Sequence, residues 1–296
     1  MALGSRTLLN LGLLALVALL ALLALYEPGK EKPVEEPALV ALNSDGISSL
    51  RIVRANGETI VLERPQGTWR MSEPLAIGVN DYRISSLLRI TELKSLGQFA
   101  AAPESLAQYG LDAPNATLVI NGTTRLDFGN STPIDQRRYV RIGDTIHLIT
   151  DNYYYHLIGT PTTYASNSLL DNNSAPLRLD LPGLLLAQQE GKWSATPQPA
   201  DFSVDQITQL IDHWRHAQAL EVAPYDGRKG EMVRITLTGS DEPLVFLVTE
   251  RTPELILARP DLKIQYHLPA SSVAELLTLK PLPAAPDTGQ ETPAPQ

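Results

Sequence analysis

The chain has 296 residues, 43% of them apolar and 19% charged, with a formal net charge of −9 and no Cys. That balance describes globular material rather than a disordered chain, with room for about two domains. It excludes disulfides, thiolate metal sites and a Cys nucleophile, and an acidic surface makes nucleic acid a poor partner.

In chain order, the first element is "LLNLGLLALVALLALLAL", residues 8–25, where only Asn10 and Gly12 interrupt a strongly apolar run. With Tyr26 at its edge it approaches the ~20 residues that cross a bilayer core. A secretory signal peptide is the rival reading. An uncleaved anchor is preferred, because Ala18, Ala21 and Ala24 are spaced A-x-x-A and Leu22 occupies the −3 position. We therefore expect residues 1–26 to form a transmembrane anchor with a short N-terminus inside, placing the remainder in a periplasm. Residues 27–37, "EPGKEKPVEEP", read as a charged stalk containing Pro28, Pro33 and Pro37, which favours an extended chain.

The next segments alternate in the period of two that marks half-buried strands. They are "ISSLRIVRA" (47–55), "ETIVLER" (58–64) and "TWRMS" (68–72), the first two joined by the hairpin dipeptide Asn56-Gly57. After Pro74, Ile84, Leu87, Leu88 and Thr91 fall at helical spacing, with Asn80 positioned as N-cap. Strands follow at 116–122, 124–129, 137–143 and 145–150, then a short helix at "NYYYHLI" (152–158).

The same order then recurs. Strands at 176–181, 184–189 and 192–196 lead to a helix carrying Ile207, Leu210, Ile211 and Trp214, capped by Ser203. These five residues keep one constant offset from Ile84, Leu87, Leu88, Thr91 and Asn80. Strands at 232–239, 243–249, 254–259 and 263–268 and a helix at 271–279 complete the second set. This reads as an α+β fold of two tandem, duplicated modules, 38–165 and 166–280. Each is a mainly antiparallel sheet with helices on one face. The turn-rich stretch 160–175 forms the junction, and residues 281–296, with five Pro, form a disordered tail.

Gly67-x-Trp69 before Pro74 and Gly191-x-Trp193 before Pro197 contain two of the three Trp. The retained Gly, Trp and Pro suit a turn, an apolar plug and a break before a helix, so both Trp are expected to be substantially buried at equivalent places.

Strand, Gly-x-Trp, "EP", amphipathic helix, then "YGLDAP" (109–114) and "YVRIG" (139–143) resemble a bacterial envelope protein family carrying a domain of unknown function, number forty-three-forty. The resemblance is strongest over residues 47–160. It implies an association with gliding-motility-type auxiliary proteins of ABC transporters and transfers no catalytic residue.

Candidate chemistry is sparse. His213 and His216 lie three apart on a helix, but no HExxH motif or Cys supports a metal, and exposed helical His is the preferred reading. His147 and His267 sit at similar places in the two halves, as duplicated strand residues would. Asp127, Asp135 and Asp144 are scattered among turns, and no nucleophile elbow or phosphate loop occurs. "RPQGTWR" and "DQRRYVR" place Arg beside aromatics, a pattern suited to an anionic glycan or lipid headgroup, with solvated strand edges the preferred reading. The sequons at Asn115, Asn121, Asn130 and Asn172 are read as chance.

If helical, Tyr153, Tyr154 and Tyr155 cannot all face a core, so at least one is expected at the surface; that suits a partner contact, with ordinary packing of an amphipathic Tyr as the preferred reading. No catalytic, metal or cofactor site is assigned. The function expected is a single-pass, inner-membrane, periplasmic scaffold, an accessory to an ABC-type transporter permease or auxiliary subunit. The alternative is a module holding a lipid, glycan or peptide between its halves, and a hydrolase is the weakest reading.

Overall fold

The computed structural model describes residues 4–26, 37–55, 57–171, 173–197 and 203–279. The stalk, the tail, Asn56 of the expected hairpin and Asn172 therefore lie outside the described residues, Pro37 excepted. The chain divides into two units, Met1–Pro37 and Ala38–Gln296.

In the first unit, α1 runs from Ser5 to Tyr26. Ten apolar residues from Leu8 to Leu22, all Leu except Val17, are between 53% and 73% exposed. Among the described residues, however, no helix is long and apolar enough to cross a membrane. The expected span at 8–25 is thus present as a helix, and its described side chains end at Leu22.

The second unit opens with β1 (Ser49–Arg54), β2 (Ile60–Glu63), β3 (Arg70–Glu73), β4 (Ile77–Gly78), α2 (Asp81–Leu88) and β5 (Gly97–Ala100). It continues through β6 (Ala116–Ile120), β7 (Thr124–Ser131), β8 (Arg137–Ile142), β9 (Thr145–Thr150) and α3 (Pro161–Tyr164). The second series is β10 (Pro176–Leu181), β11 (Leu184–Gln189), β12 (Lys192–Thr196), α4 (Val204–His216) and β13 (Glu221–Pro224). Then come β14 (Glu231–Leu237), β15 (Leu244–Glu250), β16 (Glu254–Arg259), β17 (Ile264–Pro269) and α5 (Ser272–Leu276).

Among the described residues these strands make two antiparallel sheets, ordered β4-β3-β2-β1-β6-β7-β8-β9-β5 and β12-β11-β10-β14-β15-β16-β17-β13. Apart from the short β4, the second order repeats the first. His147 and His267 even occupy matching registers, opposite Gln98 of β5 and Glu221 of β13. The duplication expected from the spacing is therefore a duplication of topology.

Alternation explains the strands. In β1, Leu50 and Ile52 are fully buried while Arg51 and Val53 face outward. The helices cover the opposite face from those outward residues. On α4, Ile207, Leu210, Ile211 and Trp214 are all buried, and the Trp214 ring lies 5.7 Å from Phe246 of β15. Burying each such side chain stabilises by on the order of 2 kcal/mol, as an upper figure before conformational entropy. Asn80 caps α2 as expected, its Oδ1 accepting the Arg83 N–H at 3.2 Å. Ser203 stands before α4, where its N–H donates to Gln206 Oε1 at 3.1 Å.

Besides the two-residue β4, two strands were not legible. β5 ("GQFA") is almost wholly exposed and has no alternation, and β13 ("EVAP") ends in Pro; both are edge strands held by a single neighbour. The stripe from Ile84 to Thr91 bends into a 3-10 turn at Arg89–Glu92, with Thr91 still buried. The helix expected at 152–158 is a 3-10 turn, Tyr154–His156.

The expectation for Trp69 and Trp193 needs correction. They hold equivalent places beside positive-φ pairs (Gln66 and Gly67, Glu190 and Gly191) and before cis prolines, Pro74 and Pro197. Both are only half-buried against the core. Trp193 lies on the edge strand β12, and Trp69 just precedes β3, which only the two-residue β4 separates from the sheet edge, so neither large ring is enclosed. The fully buried Trp is Trp214.

Between the sheets the chain is stitched rather than loose. Val79 bridges to Ala165 and Ser168 to Gln218. Asn80 Nδ2 donates to Asn167 Oδ1 at 3.0 Å, and Asn167 Nδ2 donates to the Ala219 carbonyl at 2.9 Å. Tyr164, Ala165, Leu169 and Leu170 are buried there in one continuous core.

Candidate functional site

The two quoted halves of the family-like pattern meet in space. Tyr109 closes a 3-10 turn, Pro103–Tyr109, whose last residue is followed by left-handed Gly110 (φ 66°). Its ring lies tilted 4.6 Å from Tyr139 of β8 and 5.3 Å from Phe99 of β5. The approach requires Gly129: a Cβ there would lie 2.2 Å from the Tyr109 carbonyl oxygen. "YGLDAP" therefore clamps a turn onto the sheet.

The tyrosine run follows β9, where the three rings take different places. Tyr154 lies with its ring centroid 3.5 Å from the Arg138 guanidinium. Arg138 is only 8% exposed. Its Nε and Nη2 reach Asp151 Oδ1 and Oδ2 at 2.6 and 2.8 Å, and Nη1 donates to the Gly129 carbonyl. A buried guanidinium is tolerated only when its donors are satisfied, and Tyr154 completes that enclosure. Burial chiefly raises the Tyr154 hydroxyl pKa, with Arg138 opposing the shift and Asp151 adding to it. Tyr153 is half-buried against the core.

Tyr155 instead faces outward, 53% exposed, beside Tyr82 of α2 at 64% and Ile158 at 50%. Beneath them sits His156, 3% exposed, with the Tyr155, Tyr153 and Tyr82 rings at 3.9, 6.0 and 6.2 Å. Burial first, and the Arg83 charge second, push the His156 pKa down, which favours the neutral ring. Among the described residues its Nδ1 has no hydrogen-bond partner. Behind the patch, the Tyr164 hydroxyl donates to the His156 carbonyl, and burial pushes its own pKa up to about 12.

Thus one tyrosine of the three, Tyr155, is open to solvent, as are Tyr82 and Ile158, while His156 is buried. His156 and Ile158 belong to the quoted 152–158 stretch, whereas Tyr82 comes from a separate segment. Tyr82, at the polar start of α2, carries no signal by itself. The arrangement offers apolar rings with polar tips, a composition enriched at protein interfaces.

The other candidates stay apart. His213 Nδ1 lies 3.2 Å from the Glu275 carbonyl and His216 Nδ1 2.9 Å from the Asp212 carbonyl. They border a groove of 390 Å³ between α4 and α5. No group of three metal-ligating side chains occurs among the described residues. His267 is held between Glu254 and Gln265, and His147 against buried Ser95. Of the arginines singled out, Arg64 lies 5.7 Å from the Trp69 ring and Arg70 pairs with Asp171 at 2.9 Å. Asp135 pairs with Arg137, Asp144 is exposed, and Asp127 is buried beneath two arginines.

Compared with known proteins, residues 69–237 match one family model, described as Domain of unknown function (DUF4340). The match begins later than residue 47 and runs well past residue 160, across strands of both sheets. No curated protein and no solved structure gives a match.

Proposed function

The chain belongs to the DUF4340 family, and from that premise we propose that it is a membrane-anchored scaffold of the bacterial periplasm. It acts by binding a protein partner rather than by catalysis. The observation that carries the reading is the exposed Tyr82–Tyr155–Ile158 patch over a buried His156. Such a patch gives a docking site with rigid aromatic anchors. The stitched, buried junction between the sheets favours a rigid scaffold over a lipid- or peptide-holding cleft.

For the anchor, the support is the composition of α1. A helix with apolar side chains exposed on every side needs an apolar environment, and 22 residues at 1.5 Å each extend about 33 Å. The resemblance to envelope proteins points to an ABC-type transporter permease or auxiliary subunit as partner. Extraction in mild detergent followed by co-purification tests this reading. Recovery with a permease or auxiliary subunit is expected. A lone monomer, under conditions that keep other membrane complexes intact, contradicts it.

A further inference from the structure

The face of the first sheet turned away from its helix carries a second feature. The pairing registers set Thr117 of β6, Asp127 of β7 and Arg141 of β8 side by side across three strands. Asp127, 2% exposed, accepts the Thr117 hydroxyl at 2.7 Å. It also takes Arg125 at 2.9 Å on Oδ1 and Arg141 at 2.8 Å on Oδ2. Burial alone would raise the pKa of its carboxyl; the hydrogen bonds from Arg125, Thr117 and Arg141 outweigh it and hold the group below the usual range.

The two guanidiniums lie above this carboxylate, with side chains 59% and 28% exposed. Each has five N–H donors, and only part of each fork is used by Asp127 and Thr117. The remaining donors border a groove of 520 Å³, which is also lined by Thr123, Thr124 and Asp144. Exposed Arg51 lies in the same row as Arg125, two strands away, with Val119 between them. With strands ~4.8 Å apart, that puts a third cation roughly 10 Å off.

A chain of net charge −9 thus concentrates three arginines on one sheet face. The buried carboxylate neutralises one of them and orients two. Orientation fixed in advance removes much of the ordering entropy that an exposed Arg loses on binding. Asp144, exposed at the rim, opposes an anion and limits its affinity.

We infer that this groove binds a phosphoryl group, carried by a lipid headgroup or as free phosphate, through the outward N–H groups of Arg125 and Arg141. Two guanidinium forks with nearby Thr hydroxyls suit the several acceptor oxygens of a phosphoryl group.

The test uses the full chain in neutral detergent, followed by NMR or calorimetry. Titration with inorganic phosphate is one arm, and a short-chain phosphatidylglycerol below its micelle concentration is the other. Saturable binding on the order of millimolar is expected in at least one arm, which identifies the source. Arg125→Gln, at an exposed side chain, weakens that binding by about fivefold or more, Arg125→Lys by less, and Asp144→Asn tightens it. Arg178→Gln on the second sheet leaves it unchanged. No saturable binding in either arm, or equal binding by the Arg125→Gln and Arg178→Gln variants, overturns the inference. The Tyr82–Tyr155 patch plays no part in this titration, so its outcome is independent of the scaffold reading.

Discussion

Replacing Trp214 tests why one Trp of three is enclosed. Its side chain is fully buried, its ring packs 5.7 Å from Phe246, and its Nε1–H donates to the Leu276 carbonyl at 2.8 Å. Trp214→Phe keeps a ring but removes the donor and part of the bicycle. The unsatisfied buried carbonyl costs about 1–3 kcal/mol, with a further contribution of about 1 kcal/mol from lost packing. Trp214→Ala is expected to cost about 3–5 kcal/mol, a large share of the roughly 5–15 kcal/mol typical of a domain. Urea unfolding followed by far-UV circular dichroism measures both. Trp69→Phe, at a half-buried site near the sheet edge, should cost about 1 kcal/mol or less. The reasoning fails if Trp214→Phe unfolds at the wild-type midpoint, or if Trp69→Phe is equally destabilising.

Other outcomes follow from the same geometry. Asp127 has a depressed folded pKa, so its stabilisation is present above the ordinary aspartate value and is lost as pH falls through the lower folded value. Acid unfolding should therefore be steeper in the wild type than in Asp127→Asn across that window, with the variant less stable at pH 7. Gly129→Ala drives a Cβ against the Tyr109 carbonyl and should destabilise by about 1–3 kcal/mol, read as a drop in Tm. Tyr82→Ala with Tyr155→Ala removes exposed rings and should shift stability by only about 0.5 kcal/mol per site, while abolishing partner recovery.

Legibility followed burial. Strands with one apolar face, such as β1, and helices with a buried stripe, such as α4, were readable because water exclusion imposes a period on the chain. The repeat was readable because cap, stripe and Trp recur at one offset. Edge strands β5 and β13 bury little and so leave no period. The burial of Trp69 and Trp193 was overestimated because residue type does not reveal that their hairpins lie at the sheet margin. At the site, the Tyr153–Tyr155 run indicated an exposed aromatic, and the turn decided which one. Tyr82 joined it through tertiary packing between α2 and the turn after β9, which no local pattern encodes. The Arg125–Asp127–Arg141 group was likewise hidden, since cross-strand register brings β7 and β8 together.

The central claim, partner docking through the Tyr155 face, is tested most directly by a photo-crosslinking residue at position 155 in intact bacterial cells. A matching probe at Val204, 62% exposed on α4 of the second sheet series, serves as the control. The account predicts a discrete adduct with a membrane permease or auxiliary subunit from position 155 and none from position 204. No adduct at 155, or the same adducts from both positions, would contradict it.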